Sequence, residues 1–243
     1  MLKQFVSAVA GGLLISIGGV VFLNSYITTQ NIYIGAFFFA VAFICICLKG
    51  YGLFTGRVGD LVDNRTADEL TGVAVTLLGN AAVAFVIGAL FYRCLPDSIG
   101  YVAEALMAAK VKAAIGATFL RAVLCGVLIH LAISIYREKN TVVGIVFCIP
   151  AFVLAGFEHS VADMFYFAAS DFEGGLEGFA IIILIIFGNA VGGALLPLLS
   201  LACKDAPAKE DEADGEDEES EFEVEVEVTD GEETGVTAEG DAE

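Results

Sequence analysis

The composition of this 243-residue chain excludes a soluble globular protein. Hydrophobic residues make up 57% of the sequence and charged residues only 18%, with a mean hydropathy of +0.79, whereas a soluble domain needs far more polar surface. The formal net charge of −19 belongs almost wholly to the C-terminal end, because residues 204–243 hold 19 of the 31 acidic residues and 2 of the 12 basic ones. We therefore divide the chain into an apolar domain, residues 1–203, and an acidic tail, residues 204–243.

Apolar runs long enough to cross a lipid bilayer recur along the first domain. A hydrocarbon core about 30 Å thick requires roughly 20 apolar residues in a helix. Four uninterrupted runs meet this length: Phe5–Ile27, Leu70–Phe91, Phe119–Tyr136 and Gly178–Cys203. Each is predicted to be a transmembrane helix.

Two further apolar segments are interrupted. Ile32–Leu48 stops at a glycine-rich stretch, and the shorter, more polar Val58–Asn64 follows it. Thr141–Ala155 stops at the run Gly-Phe-Glu-His-Ser before Val161–Ala169 resumes. We therefore predict an all-α membrane protein with six passes, in which the second and fifth helices are broken.

The two breaks lie at corresponding places in the two halves of the domain. Aligning Gly52–Gly56 with Gly156–Ser160 places Thr55 opposite His159, and the next helix of each half carries a Gly-Asn pair. An odd number of passes per repeat inverts the second half relative to the first, so the sequence predicts two inverted three-helix repeats. Paired broken helices in such a repeat indicate a site near the middle of the membrane.

Both breaks are candidate sites, because irregular backbone at membrane depth must be buried in protein or line a cavity. His159 has an ordinary pKa near neutrality, which suits proton exchange with a passing solute, and Thr55 could hydrogen-bond its ring. Glu158 is expected to satisfy loop amides or a helix end. Gly52 and Gly156 permit the backbone conformations that such loops need.

Large apolar residues close to the breaks could form constrictions that exclude hydrated ions, with ordinary helix packing as the alternative for each. They are Phe39, Phe43, Leu53 and Phe152. Asn80 and Asn189 are predicted to bond backbone groups freed by the breaks, with a pore role second. For His130, within the fourth pass, packing and pathway roles both stay open.

The sequence offers little for other kinds of chemistry. His159 and Asp163 lie four residues apart, but a single His/Asp pair does not make a metal site. A nucleophile with its base and a phosphate-binding loop are not found. We therefore expect no metal, no cofactor, no nucleic-acid partner and no enzymatic activity.

Basic residues in the short loops predict the orientation. Lys3, Arg137 and Lys204 fall on the side of the N-terminus, which places both termini in the cytoplasm of a plasma-membrane protein. The loop between the third and fourth passes, with Lys110 and Lys112, is the contrary evidence. The acidic tail cannot bury a core and is expected to be disordered.

Several runs together resemble the formate/nitrite transporter family, which also includes hydrosulfide channels. They are Gly156–Phe165, Leu53–Thr55, Arg121–Gly126 and Gly188–Gly193. The resemblance covers residues 5–202 and implies an aquaporin-like helix arrangement in a homopentamer, each subunit with its own pore. It also implies a small monovalent anion as the solute: formate, nitrite or hydrosulfide.

The resemblance carries roles for individual residues. It implies that His159 is the central pore histidine contacted by Thr55, and that Asn189 lies on the pore side of the sixth pass. It implies that Lys110 or Lys112 is the lysine of an outer vestibule. It also implies that the four apolar residues near the breaks form the constrictions. One departure is that members usually have Leu-Cys-Asn-Trp where this chain has Leu-Cys-Gly-Val.

The hypothesis from sequence is a channel or transporter that passes small weak-acid anions, formate or nitrite, with proton exchange at His159. The alternatives are a hydrosulfide channel of the same family and a plain anion pore in which His159 is structural. From a different class, the chain could be a membrane anchor or sensor that acts through its acidic tail.

Overall fold

The computed structural model describes residues 1–94, 97–170 and 175–204. The expectation of a disordered tail therefore concerns residues outside the described ones. Within the described ranges all regular structure is helical. The helices are α1 Leu2–Thr29, α2 Ile32–Lys49, α3 Phe54–Arg57, α4 Asp60–Asp63, α5 Ala67–Cys94, α6 Asp97–Lys112, α7 Ile115–Lys139, α8 Val143–Leu154, α9 Ser160–Ala168 and α10 Gly175–Lys204.

Five of these helices are long and apolar enough to cross a membrane: α1, α2, α5, α7 and α10. The shorter α8 is also apolar. Large apolar side chains such as Phe37, Phe147 and Phe187 are exposed on the helices, as expected where the surrounding solvent is lipid. The protein is a multi-pass membrane protein, and the predicted runs match these helices with small shifts at their ends.

The region between the third and fourth passes differs from the prediction, because α6 occupies what was expected to be a loop. Its buried residues, Ile99, Ala103 and Met107, recur every four positions, which is the spacing of one apolar face on a helix. The other face is polar enough that the segment does not resemble a transmembrane run. A search for uninterrupted apolar runs therefore misses it.

The long helices pack in two similar groups. In the first, α1 lies against α2 and α5; in the second, α7 lies against α8 and α10. Glycines let the backbones approach closely within each group. A Cβ at Gly12 would lie 2.8 Å from the main-chain oxygen of Asn80, and one at Gly192 would lie 1.9 Å from that of Val123.

The two broken helices end in the same way. Gly50 after α2 and Gly156 after α8 both have φ of 66°, a left-handed conformation that favours glycine at a helix end. The amide of Tyr51 donates to Ile46, and the equivalent bond from residue 157 to residue 152 has the same length, 3.0 Å. Every residue of this motif has its counterpart 106 positions later.

This spacing corrects the alignment of the repeats. The residue that precedes α3 is Leu53 and the residue that precedes α9 is His159, so these two are structurally equivalent. Thr55, which sequence matching placed opposite His159, lies two positions further on. The alignment was wrong because it paired similar letters, whereas the equivalence is set by where each helix ends and restarts.

Candidate functional site

Asn189 on α10 holds the second break together. Its Oδ1 accepts a hydrogen bond from the amide of Ser160 at 2.9 Å. Its Nδ2 donates to the main-chain oxygens of Ala122 and Glu158, both at 2.8 Å. A fully buried side chain thus joins α7, the break and the start of α9.

Asn80 on α5 makes the same three bonds at the first break. Its Oδ1 accepts from the amide of Phe54 at 2.8 Å, and its Nδ2 donates to the main-chain oxygens of Ala8 at 2.7 Å and Gly52 at 3.0 Å. Both asparagines therefore satisfy backbone groups that the breaks leave without helical partners.

His159 joins the two breaks. Its side chain is buried, and Nδ1 accepts from the amide of Ala162 at 3.2 Å, which caps α9. Its Nε2 lies 3.2 Å from Oγ1 of Thr55 on α3. Because Nδ1 accepts a main-chain N–H, the neutral ring carries its proton on Nε2 and donates it to Thr55.

Three buried phenylalanines enclose this histidine. The ring centroids of Phe43 and Phe152 lie 5.5 and 5.9 Å from that of His159, and the Phe152 ring stacks on it. Phe39 contacts both, with centroid distances of 5.7 and 6.1 Å. Leu53, the fourth predicted constriction residue, is buried at the first break. The imidazole therefore lies in almost wholly apolar surroundings.

Two cavities approach this cluster from opposite ends of the helices. The Lys110 cavity, about 170 Å³, is lined by residues that include Phe22, Phe39, Lys110 and His159. The Arg57 cavity, about 490 Å³, is lined by residues that include Gln4, Ser7, Leu53 and Arg57. Residues 4 and 22 lie about 27 Å apart along α1 at 1.5 Å per residue, so the cavities open toward opposite ends of the molecule.

The two cavities follow the internal repeat. Leu53 and Arg57 line one cavity, and the residues 106 positions later, His159 and Asp163, line the other. At one pair of equivalent positions the Arg57 cavity thus has a basic residue and the Lys110 cavity an acidic one. The repeat supplies similar backbone to both ends, while the side chains make the ends chemically different.

Lys110, at the end of α6, is placed in the first cavity, while Lys112 is exposed. The ammonium group of Lys110 pairs with the carboxylate of Glu158 and lies 3.0 Å from Oδ1 of Asp163. The prediction for Glu158 was therefore wrong: its carboxylate binds a lysine rather than loop amides or a helix end. The reason is that α6 was not foreseen, so its lysine was not available as a partner.

Asp163 is the site residue whose role the sequence reasoning missed. Its side chain is 2% exposed, and it lies within an otherwise apolar segment one turn after His159. An ionisable side chain in such a segment is a candidate for function by itself, and that signal could have identified it.

Two ion pairs surround the Arg57 cavity. Arg57 pairs with Glu69 on α5, and Arg137 on α7 pairs with Asp60 at 2.6 Å. Arg57, Arg137 and Asp60 line the cavity. These pairs join α3 and α4 to the long helices.

The remaining predicted residues have structural contacts. The amide of Gly52 donates to Oγ of Ser7 at 2.9 Å, and a Cβ at Gly11 would lie 2.2 Å from the oxygen of Gly52. His130 packs against Gly59, where a Cβ would lie 2.4 Å from its Nδ1. The described residues contain no group of three or more His, Cys, Asp or Glu side chains that could hold a metal ion.

The fold and the site define a multi-pass membrane protein in which two broken helices meet around a buried histidine between opposite cavities. A family profile described as "Formate/nitrite transporter" matches residues 1–203, and the chain belongs to that family. The resemblance stated from sequence is thereby confirmed.

Similar proteins agree with this assignment. A protein of Toxoplasma gondii named "Formate-nitrite transporter 2" is 33% identical, and the match covers 69% of this chain and 40% of that protein. A "Probable formate transporter" of Methanothermobacter thermautotrophicus is 30% identical, covering 65% and 69% of the two chains. A solved "Pentameric formate channel with formate bound" shares the fold, with a TM-score of 0.72 at 19% identity over 84% of this chain and 96% of that one.

Proposed function

We propose that this protein is a channel for small monovalent weak-acid anions, with formate and nitrite as the first candidates. The observation that carries the proposal is the buried His159–Thr55 pair, enclosed by phenylalanines and approached by a cavity from either end. The names of the similar proteins support the same class of solute.

The apolar surroundings of His159 determine the form in which a solute crosses. A bare anion is expensive to place among three phenylalanines, because the surroundings offer few hydrogen bonds. The neutral acid avoids that cost and can accept a hydrogen bond from Nε2–H of His159 as Thr55 releases it. Chloride, the anion of a strong acid, cannot cross in this way.

The geometry at His159 leads us to modify the proton exchange suggested by the sequence. A ring that gives up a proton must first be an imidazolium, and its Nδ1–H would then face the amide N–H of Ala162, which Nδ1 now accepts. We therefore propose that His159 acts as a neutral hydrogen-bond donor and that the solute receives its proton before the phenylalanines.

The family and the solved neighbour support a proposal for the assembly. We propose that residues 1–203 form six passes, with α8 and α9 together as the fifth, in a homopentamer in the plasma membrane. Both termini would lie in the cytoplasm, and the Arg57 cavity would open to that side, because it is lined by residues from the N-terminal end of α1.

A hydrosulfide channel is the second candidate, because hydrogen sulfide is also a weak acid and the same constriction would pass it. The run Leu-Cys-Gly-Val at residues 124–127 departs from the usual family pattern, so uptake measurements decide between these solutes. A membrane anchor or sensor that acts through the tail leaves both cavities and the buried histidine without a role.

Uptake into proteoliposomes tests the proposal. Formate, nitrite, hydrosulfide and chloride are supplied at several pH values to wild-type protein, His159→Phe and the matched control His130→Phe. We expect weak-acid uptake that rises as the pH falls, with little chloride uptake. Losing one hydrogen bond of roughly 1.4 kcal/mol should lower the rate about tenfold in His159→Phe and leave His130→Phe near wild type.

Two other uptake results would contradict the proposal. Chloride uptake as fast as formate uptake would support a plain anion pore. If none of the four anions moves with wild-type protein, the proposed function is wrong, and deletion of residues 205–243 would then test the anchor or sensor.

A further inference from the structure

The cluster of side chains around Lys110 has two acidic members and one basic member, and Lys110 and Asp163 line the Lys110 cavity. One ammonium group, on Lys110, faces two carboxylates, on Glu158 and Asp163, and these side chains are 14%, 4% and 2% exposed. A buried carboxylate that lacks its own cation is costly, and in proteins it is neutralised by binding a proton. One of the two carboxylates is therefore a candidate for a bound proton.

The elements packed around this cluster do not supply a second cation among the described residues. Cys125 on α7 and Tyr166 on α9 are close enough to interact electrostatically with the two acids, and both are uncharged. His159 has Nδ1 occupied by the amide of Ala162 and is neutral in the arrangement described above. The neighbouring α1 and α5 bring glycines against α9, and α10 brings Asn189 against its start.

The two carboxylates differ in their contacts. Glu158 pairs with Lys110 through Oε2, and neither of its oxygens is buried without a partner among the described residues. Asp163 contacts Lys110 through Oδ1 alone, and among the described residues its Oδ2 is buried without a hydrogen-bond partner. Asp163 also lines the cavity, one helical turn after His159.

We propose that Asp163 is a carboxylic acid in the resting channel and that it gives its proton to a weak-acid anion in the Lys110 cavity. This inference rests on the proposed function and names the proton donor for the same pathway. In this proposal Lys110 attracts the anion, and a second residue, Asp163, supplies the proton.

The step balances as follows. Lys110 attracts the anion, the side chain of Asp163 turns its O–H toward the cavity, that O–H bond breaks, and a bond forms between the proton and the anion. The neutral acid moves past Phe39 and Phe152 to His159, while the new Asp163 carboxylate is stabilised by Lys110. A proton from the outside solution then binds to Asp163 and restores the acid, so one proton and one anion cross together.

The pH dependence of uptake tests the proton donor. The concentration of neutral acid in bulk water falls about tenfold per pH unit between about pH 6 and 8. With an internal donor, uptake by wild-type protein should fall less steeply than that. Asp163→Asn keeps the shape and the Lys110–Glu158 pair but lacks the proton, so its uptake should follow the full tenfold slope.

Glu104→Gln is the matched control, because it makes the same chemical change on α6 at a half-buried carboxylate and should keep the wild-type slope. Equal slopes for wild type and Asp163→Asn would overturn the inference while leaving the channel function intact. If wild-type protein moves no anion, the proposed function fails, and a spectroscopic test of Asp163 is still available.

Infrared spectroscopy provides that test without transport. Wild-type protein and Glu104→Gln should show the C=O band of a buried protonated carboxylic acid, and Asp163→Asn should lack it. Glu158→Gln should also lack it, because Lys110 then has Asp163 as its one acidic partner and favours the carboxylate. A wild-type spectrum without the band would show that Asp163 is ionised and would overturn the inference.

Discussion

Thr55 and Thr118 show how the same residue type can have different roles in one buried region. Both side chains are fully buried. Oγ1 of Thr55 lies 3.2 Å from Nε2 of His159, whereas Oγ1 of Thr118 is without a hydrogen-bond partner among the described residues. An unpaired buried hydroxyl contributes nothing favourable, while a paired one positions the ring beside it.

Replacing each threonine by valine, which has nearly the same shape, separates these roles. Thr55→Val leaves Nε2–H of His159 without its acceptor, so we expect a loss of about 1–3 kcal/mol in stability. We also expect a lower rate of formate uptake, because the ring loses the contact that holds its Nε2–H in position for the solute. Thr118→Val should leave both unchanged or raise the stability. Thermal unfolding in detergent and uptake measure the two effects, and equal losses in both variants would contradict this account.

At the scale of helices, glycines determine how closely α7 and α10 approach each other. A Cβ at Gly192 would lie 1.9 Å from the main-chain oxygen of Val123, and one at Gly126 would lie 2.4 Å from that of Asn189. Backbone cannot move aside as a flexible side chain can. The position of Asn189, and therefore the shape of the second break, depends on this contact.

Gly192→Ala should force α7 and α10 apart. Overpacking of this kind costs about 1–3 kcal/mol, and we expect a lower melting temperature together with reduced uptake, because Asn189 is displaced from Ser160 and Glu158. Gly116→Ala on α7 is the control, since a Cβ there meets nothing within 4 Å. A Gly192→Ala variant as stable as Gly116→Ala would show that the contact is looser than described.

At the scale of the whole molecule, the proposed function requires one cavity to open to each side of the membrane. α5 ends at Cys94, before α6, whose last turn carries Lys110, while α10 extends past Cys203 to Lys204. Both cysteines are exposed. In the proposed orientation Cys94 faces outward and Cys203 faces the cytoplasm.

A thiol reagent that does not cross membranes tests this orientation. In intact cells it should label Cys203→Ser, which retains Cys94, and should not label Cys94→Ser until the membrane is permeabilised. The remaining cysteines are buried or half-buried. The reverse pattern would mean that the Lys110 cavity opens to the cytoplasm, contrary to the orientation predicted from the basic loops.

Local properties of the sequence were enough to predict the apolar passes and the two breaks, whereas the contact between His159 and Thr55 was predicted from the pairing of the breaks and from the family resemblance. Length, hydrophobicity and glycine content act within a segment, so they can be read without knowing what packs against it. The same reasoning identified Asn80 and Asn189, because backbone groups freed by a break need nearby partners.

Other features depended on which segments pack together. The apolar face of α6 is buried only when the helix packs against the rest of the domain. The position of α6 in turn places Lys110 rather than Lys112 in the cavity. It also decides that Glu158 and Asp163 share one lysine. The sequence by itself determined a membrane protein with paired breaks around a histidine; the tertiary structure decided the register of the repeat and the charge of each cavity, because both arise from contacts between distant residues.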